Sequence, residues 1–361
     1  MIGLPLYGAN AAETIKIGVA GPFSGPHSSF GDQMWAGATQ AAADINQAGG
    51  INGKLIEIVK GDDACEPKQA VSVANRLIND EQVTAVVGHF CSSSTIPAST
   101  IYADAQVLMI TPSATNPLIT ERGYETIFRT CGRDDAQGYV AAEFIKNVLK
   151  ANNVVVLHDS DTYGKGLADA TRAQLIKLGA KVVLYEGITR GEKDFNALVT
   201  KIKELAPDAV YFGAMHPEVG PFLRQLRAQG NKMPLISGDG IVSEAFVTDA
   251  GGKEMVNGVY MTFSADPRGS TSAQHVVETF RKKQFEPEGY TLYTYATMQV
   301  IAKAIQETSS MDGLALAQWL HLHPVQTIMG EKAWDKKGDL TKATYVIYQW
   351  NNQGKYAPLK K

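Results

Sequence analysis

Cysteine is scarce, with only Cys65, Cys91 and Cys131 in 361 residues. An odd count without a C-x-x-C pair excludes a miniature fold stapled by disulfides and a thiolate metal site. Charge of one sign is also missing. The formal net charge is -3 and both signs are spread along the chain, so no basic stripe is offered to nucleic acid or anionic lipid. No apolar run approaches the roughly 20 residues that cross a bilayer. The seven histidines, His27, His89, His158, His216, His275, His321 and His323, form no H-E-x-x-H pattern, and no serine sits in G-x-S-x-G. His216-Pro217-Glu218 is too tight, with proline between, to serve as a metal pair. Most histidines are expected at the surface or at caps. These absences point away from an enzyme and from any metal or cofactor.

What is present is alternation. At 361 residues, 44% hydrophobic and 20% charged, the chain suits two ordinary globular domains. Short β-branched runs alternate with helical stretches, the mark of parallel sheets covered on both faces. Strands are expected at Ile15 to Ala20, Ile56 to Val59, Val83 to Val87 and Val107 to Ile110, with helices over Asp32 to Asn46, Pro67 to Asn79 and Pro97 to Ala105. A second set runs from Val154 to Ile236. The segment Phe128 to Arg133 reads as a crossover between the two sets. Helices after Phe263 return to the first lobe and the strand Tyr345 to Tyr348 joins the second, which makes a three-segment hinge. The resulting division is 13–133 and 263–338 for the first lobe, 134–262 and 339–361 for the second.

Met1 to Ala12 is apolar and small, and Ala9-Asn10-Ala11 matches the A-x-A end of a secretory signal, with an unstructured leader as the alternative. In an exported chain Cys65 pairs best with Cys91, since both follow strand-like runs. Cys131 is left free and buried.

Ligands of open parallel sheets sit beyond the carboxyl ends of strands. Gly88 to Thr95 brings hydroxyls to the start of a helix, a setting for a carboxylate; an N-cap at Ser94 or Thr95 is the plainer reading. Thr111 to Asn116 is a second polar loop. Tyr163 follows another strand as an aromatic wall. Asp239, between Gly238 and Gly240, offers a carboxylate to an ammonium, or is an ordinary solvated turn residue.

Gly61-Asp62-Asp63-Ala64-Cys65, Gly88 to Thr95, Ile110 to Thr115, Tyr163-Gly164, Gly191 to Phe195 and Trp334-Asp335-x-x-Gly338-Asp339-Leu340 resemble the periplasmic leucine/isoleucine/valine-binding proteins of bacterial ABC importers. The resemblance runs from Thr14 to about Lys355. It implies an α/β fold of two doubly wound parallel-sheet lobes, the type I periplasmic binding fold. It further implies a monomer in the periplasm that closes on a free amino acid and meets a membrane permease, with a Cys65–Cys91 disulfide. The ligand carboxylate falls to Ser92, Thr115 and the backbone near Ser113. The amino group and side chain fall to Phe90, Tyr163, Met215, Asp239 and also Phe30 and Tyr290. Phe90, Met215 and Asp239 depart from the leucine-binding pattern, and Ser237 to Val242 with Tyr290 to Tyr293 resembles the γ-aminobutyrate/proline-binding branch. γ-Aminobutyrate is therefore the expected ligand, branched-chain or small aliphatic amino acids the alternative, and a ligand-sensing receptor domain the second.

Overall fold

The structure, a computed structural model, describes residues 14–359; the leader reading at 1–12 lies outside them. The first lobe alternates strands and helices: β1 (Thr14–Gly21), α1 (Ser28–Gln47), β2 (Leu55–Asp62), α2 (Pro67–Asn79), β3 (Ala85–Val87), α3 (Ser92–Asp104), β4 (Leu108–Thr111), α4 (Leu118–Glu121) and β5 (Ile127–Arg129). Its five strands are all parallel, in the order β2-β1-β3-β4-β5. Ile17, Val19, Val86 and Ile110 are fully buried in that sheet, because helices cover both faces and leave no polar side.

The chain then enters the second lobe with α5 (Asp134–Glu143), which runs on as one π turn over Phe144–Val148. There follow β6 (Asn153–His158), α6 (Thr162–Lys177), β7 (Lys181–Gly187), α7 (Asn196–Leu205), β8 (Ala209–Gly213), α8 (His216–Ala228), β9 (Leu235–Ser237), α9 (Ala245–Asp249), α10 (Lys253–Val256) and β10 (Tyr260–Ser264). Next come α11 (Gln274–Lys282), α12 (Thr291–Thr308), α13 (Gly313–Leu322) and a hairpin of β11 (Val325–Thr327) and β12 (Gly330–Lys332). These return to the first lobe, where α12 packs along α1. Gly37 makes that contact possible, since a Cβ there would meet the Thr291 carbonyl at 2.1 Å. Finally β13 (Tyr345–Trp350) and β14 (Tyr356–Pro358) complete a seven-stranded sheet ordered β14-β13-β10-β9-β8-β6-β7. β13 and β14 are antiparallel to their neighbours.

Three differences from the sequence expectations have physical reasons. Helix α3 starts at Ser92, with Pro97 inside it. Proline is a good first helical residue, but here backbone N–H groups bonded to Cys91 O begin the helix first. Ile127–Arg129 is a strand, so the crossover begins only after Arg129. Four histidines expected at the surface or at caps, His27, His89, His158 and His216, are buried. His89 is held by Asp63 at 2.6 Å and by the Tyr102 hydroxyl at 3.1 Å, and a buried polar ring needs such partners.

Two of the three connections between lobes, the first and the third, are fastened to each other. Arg129 Nε lies 2.7 Å from Asp339 Oδ1, and Arg133 donates to Asp339 Oδ2 at 2.6 Å. The Trp334 indole donates to the Arg129 carbonyl at 2.8 Å. Cys65 and Cys91 form a disulfide with Cα atoms 5.5 Å apart, and Cys131 is free and buried. The bridge closes a short loop in the unfolded chain, worth about 3 kcal/mol in the chain-entropy model. Replacing both cysteines by serine should lower unfolding stability by that order, read as an earlier urea midpoint; an unmoved midpoint would refute it.

Candidate functional site

In each sheet the strand order reverses once among the parallel strands, between β1 and β3 in the first lobe and between β6 and β8 in the second. Loops leaving the carboxyl ends diverge there and open a crevice. The two crevices face each other. From the first lobe come Phe90 and Ser92 after β3, Ser113 after β4, and Tyr290 just before α12. From the second come Tyr163 after β6, Met215 after β8, and Asp239 with Gly240 after β9. These eight residues line one small cavity.

The first-lobe wall is built from the buried His89. Its carbonyl accepts from the Thr111 hydroxyl at 2.7 Å and from the Thr95 hydroxyl at 3.2 Å. Gly88 precedes it at φ +138°, and a Cβ there would meet the Ala20 carbonyl at 2.2 Å, so only glycine fits. Phe90 is thereby turned to the cavity, backed by Phe30 stacked at 4.6 Å and met edge-on by Tyr290 at 5.0 Å. Ser92 occupies the first position of α3, where helical N–H groups lack intrahelical partners. Its hydroxyl accepts from the Asn116 N–H at 3.3 Å, while the Ser113 hydroxyl donates to the Phe90 carbonyl at 3.1 Å. This wall presents hydroxyls and a helix start, which suit a carboxylate.

The opposite wall centres on Asp239. It is buried, so it is not a solvated turn residue. Oδ1 accepts from Tyr163 at 2.7 Å and from Gln137 Nε2 at 2.9 Å, and Oδ2 accepts from Tyr290 at 2.5 Å. Burial pushes the carboxyl up to about 6, against the lowering effect of the Tyr290 and Tyr163 hydroxyls. Burial, with the Asp239 charge added, pushes nearby Asp134 up to about 8. At neutral pH Asp239 is therefore mostly ionised and Asp134 mostly protonated. One wall offers hydrogen-bond donors, the other a negative charge.

The glycines beside Asp239 serve a different purpose from the close approach of a ligand expected of them. A Cβ on Gly238 would lie 2.6 Å from the Tyr163 hydroxyl, and one on Gly240 2.5 Å from the Ala214 carbonyl. They admit Tyr163, which also accepts from the Gly240 N–H at 2.8 Å. Two expected residues do not line the cavity: Phe30 lies behind Phe90, and Thr115 keeps its carbonyl on the Asp134 N–H at 3.0 Å. The serine run is divided as well. Ser93 donates to Asp161 at 3.1 Å and Thr95 donates to Cys91 O at 2.8 Å. Gln137 went unrecognised in the sequence because α5 carries little apolar periodicity.

The lobes are drawn together around this cavity. Besides Tyr290 to Asp239, Ser93 meets Asp161, Asn116 donates to the Thr162 carbonyl at 3.2 Å, and Arg190 donates to the Cys65 carbonyl at 3.1 Å. Ser29 Oγ lies 3.0 Å from His216 Nε2, whose Nδ1 lies 2.6 Å from Asp249. The free volume left is only about 10 Å³, the scale of one water. A guest larger than a water does not fit the lobes as they stand. Among the described residues no three His, Cys, Asp or Glu side chains gather as metal ligands.

Comparison with known proteins agrees with this geometry. The family model described as periplasmic binding protein matches residues 14–355. The chain is 59% identical over 350 residues to an amino acid binding protein of Pseudomonas aeruginosa, covering 97% of this chain and 94% of that one. It is 45% identical over 353 residues to Leu/Ile/Val-binding protein homolog 1 of Brucella abortus, covering 97% and 94%. Among solved structures, the branched-chain amino acid transporter substrate binding protein LivJ of Streptococcus pneumoniae, in complex with isoleucine, superposes with a TM-score of 0.88 at 30% identity, covering 95% and 98%. With two facing crevices, a three-stranded hinge and a family match over nearly its whole length, the chain belongs to the periplasmic binding protein family.

Proposed function

We propose that this chain binds a free amino acid between its lobes in the periplasm and presents it, as a monomer, to the membrane permease of an ABC importer. The observation that carries this reading is the polarity of the cavity. Ser92 at the start of α3 and Ser113 in the loop after β4 suit the ligand carboxylate, and ionised Asp239 across the cleft suits its ammonium. The printed names of the relatives, amino acid binding and Leu/Ile/Val-binding, support the ligand class. The chain acts without bond chemistry and without a cofactor. Ser29, His216 and Asp249 have the order of a hydrolytic triad, yet Ser29 and His216 come from different lobes and meet only on closure, which suits a latch.

Within that class γ-aminobutyrate fits best. Phe90 is wedged between Phe30 and Tyr290, and an added branch in so full a space would cost about 1 to 3 kcal/mol. An unbranched chain with its ammonium at the far end reaches Asp239 instead. Branched-chain amino acids are the second reading, favoured by the isoleucine held in the S. pneumoniae structure.

Calorimetric titration of protein unfolded and refolded free of carried-over ligand tests both: γ-aminobutyrate should bind tightly and leucine weakly, and the reverse order would move the chain to the branched-chain group. Affinity should also depend on pH. The ligand ammonium favours ionised Asp239, whose pKa without that ammonium is about 6, so binding releases a proton below that pH. Affinity should be flat from pH 7 to 8 and fall below pH 6 by up to tenfold per unit, and Asp239→Asn should abolish the slope; an equal slope in the variant rules out this carboxylate as the cause. The Ser29→Ala variant loses one hydrogen bond that joins the lobes, worth about 1 kcal/mol. Its Kd should rise about fivefold through faster release, with an unchanged melting temperature of the ligand-free protein. Ammonia or acyl release catalysed by the wild type and lost in the variant would instead make the string catalytic.

A further inference from the structure

A second, roomier cavity of about 290 Å³ lies at the hinge and shares no lining residue with the aromatic site. Each of the three connections supplies part of its wall: Cys131 from the first, Asp266 from the second and Lys342 from the third. The hairpin of β11 and β12 adds Lys332, and α12 adds Tyr293.

Its charges are unbalanced. Asp266 is taken by Arg268, with Nη2 at 2.6 Å and Nε at 2.9 Å, and Arg268 also holds Glu286 at 3.0 Å. Among the described residues neither Lys332 nor Lys342 has an ion-pair partner. Lys332 is partly buried, and burial alone lowers its ammonium below the ordinary lysine range with no opposing charge to restore it. Two unpaired ammonium groups, with the wall's carboxylate already engaged, form a site for an anion.

We propose that the hinge cavity is a second binding site, for a small oxyanion of the phosphate or carboxylate kind, and that its occupancy favours the closed arrangement of the lobes. The coupling follows from where the walls come from. Lys332 belongs to the first-lobe hairpin and Lys342 to the connection that leads into the second lobe, so an anion held by both binds the closed arrangement, in which they share one cavity, better than an arrangement that parts them. Any ligand with unequal affinity shifts the equilibrium, and by linkage it changes affinity at the other site by the same factor.

Inorganic phosphate is the probe, titrated into stripped full-length protein at ionic strength held constant with sodium chloride. Calorimetry should give a saturable isotherm, weakened at least tenfold in the Lys332→Gln/Lys342→Gln double variant, and small-angle scattering should show a smaller radius of gyration with phosphate bound. Because Lys342 is exposed, Lys342→Glu provides a second variant if the double one misfolds, and it should abolish phosphate binding. Saturating phosphate should also tighten binding of the amino acid that titrates best by about three- to tenfold in the wild type and not in the variants. Heats without saturation, equal isotherms in wild type and variants, or saturation with unchanged scattering and amino acid affinity would each overturn the proposal. The phosphate isotherm needs no amino acid, so it stands or falls apart from the ligand assignment above.

Discussion

A carboxylate buried between two bodies must be satisfied by both. Asp239 receives Tyr163 and Gln137 from its own lobe and Tyr290 from the other, and much of the surrounding design follows from that requirement. Glycines flank it so that Tyr163 can reach in. Tyr290 is set at the head of α12, the helix that returns to the first lobe and packs along α1. Separating the lobes would remove a donor from a group that desolvation already disfavours.

The two walls differ in stiffness. The first-lobe wall is fixed by the Cys65–Cys91 bridge, by the Asp63–His89–Tyr102 string and by two hydroxyls on the His89 carbonyl. This bonding leaves the backbone of that wall little room to relax. The second-lobe wall moves as a body about the hinge, where Asp339 holds Arg129 and Arg133 together.

Much of the fold was legible because its strands are buried on both faces and its helices carry one apolar face. The bounds of α2 come out as the pattern predicts. Tyr163 and Asp239 were legible from their place after strands, while Phe90 and Met215 entered as pocket candidates through the family resemblance. What stayed hidden depends on distant neighbours. Nothing local says that Gly238 makes room for a tyrosine, that Ser93 crosses to Asp161, or that buried histidines have partners. Helix α5, poor in apolar periodicity, concealed Gln137, and Pro97 drew the start of α3 too far along the chain.

The interleaving of the lobes also bears on the order in which the chain can fold. The second sheet is completed at one edge by β13 and β14, while β6 to β10 precede the returning helices of the first lobe. During synthesis neither lobe has all its parts when its first strands emerge, and the second waits for the last of its strands. Such a chain reaches its final form only as a whole. Completion of the second lobe thus depends on residues far along the chain from its first strand.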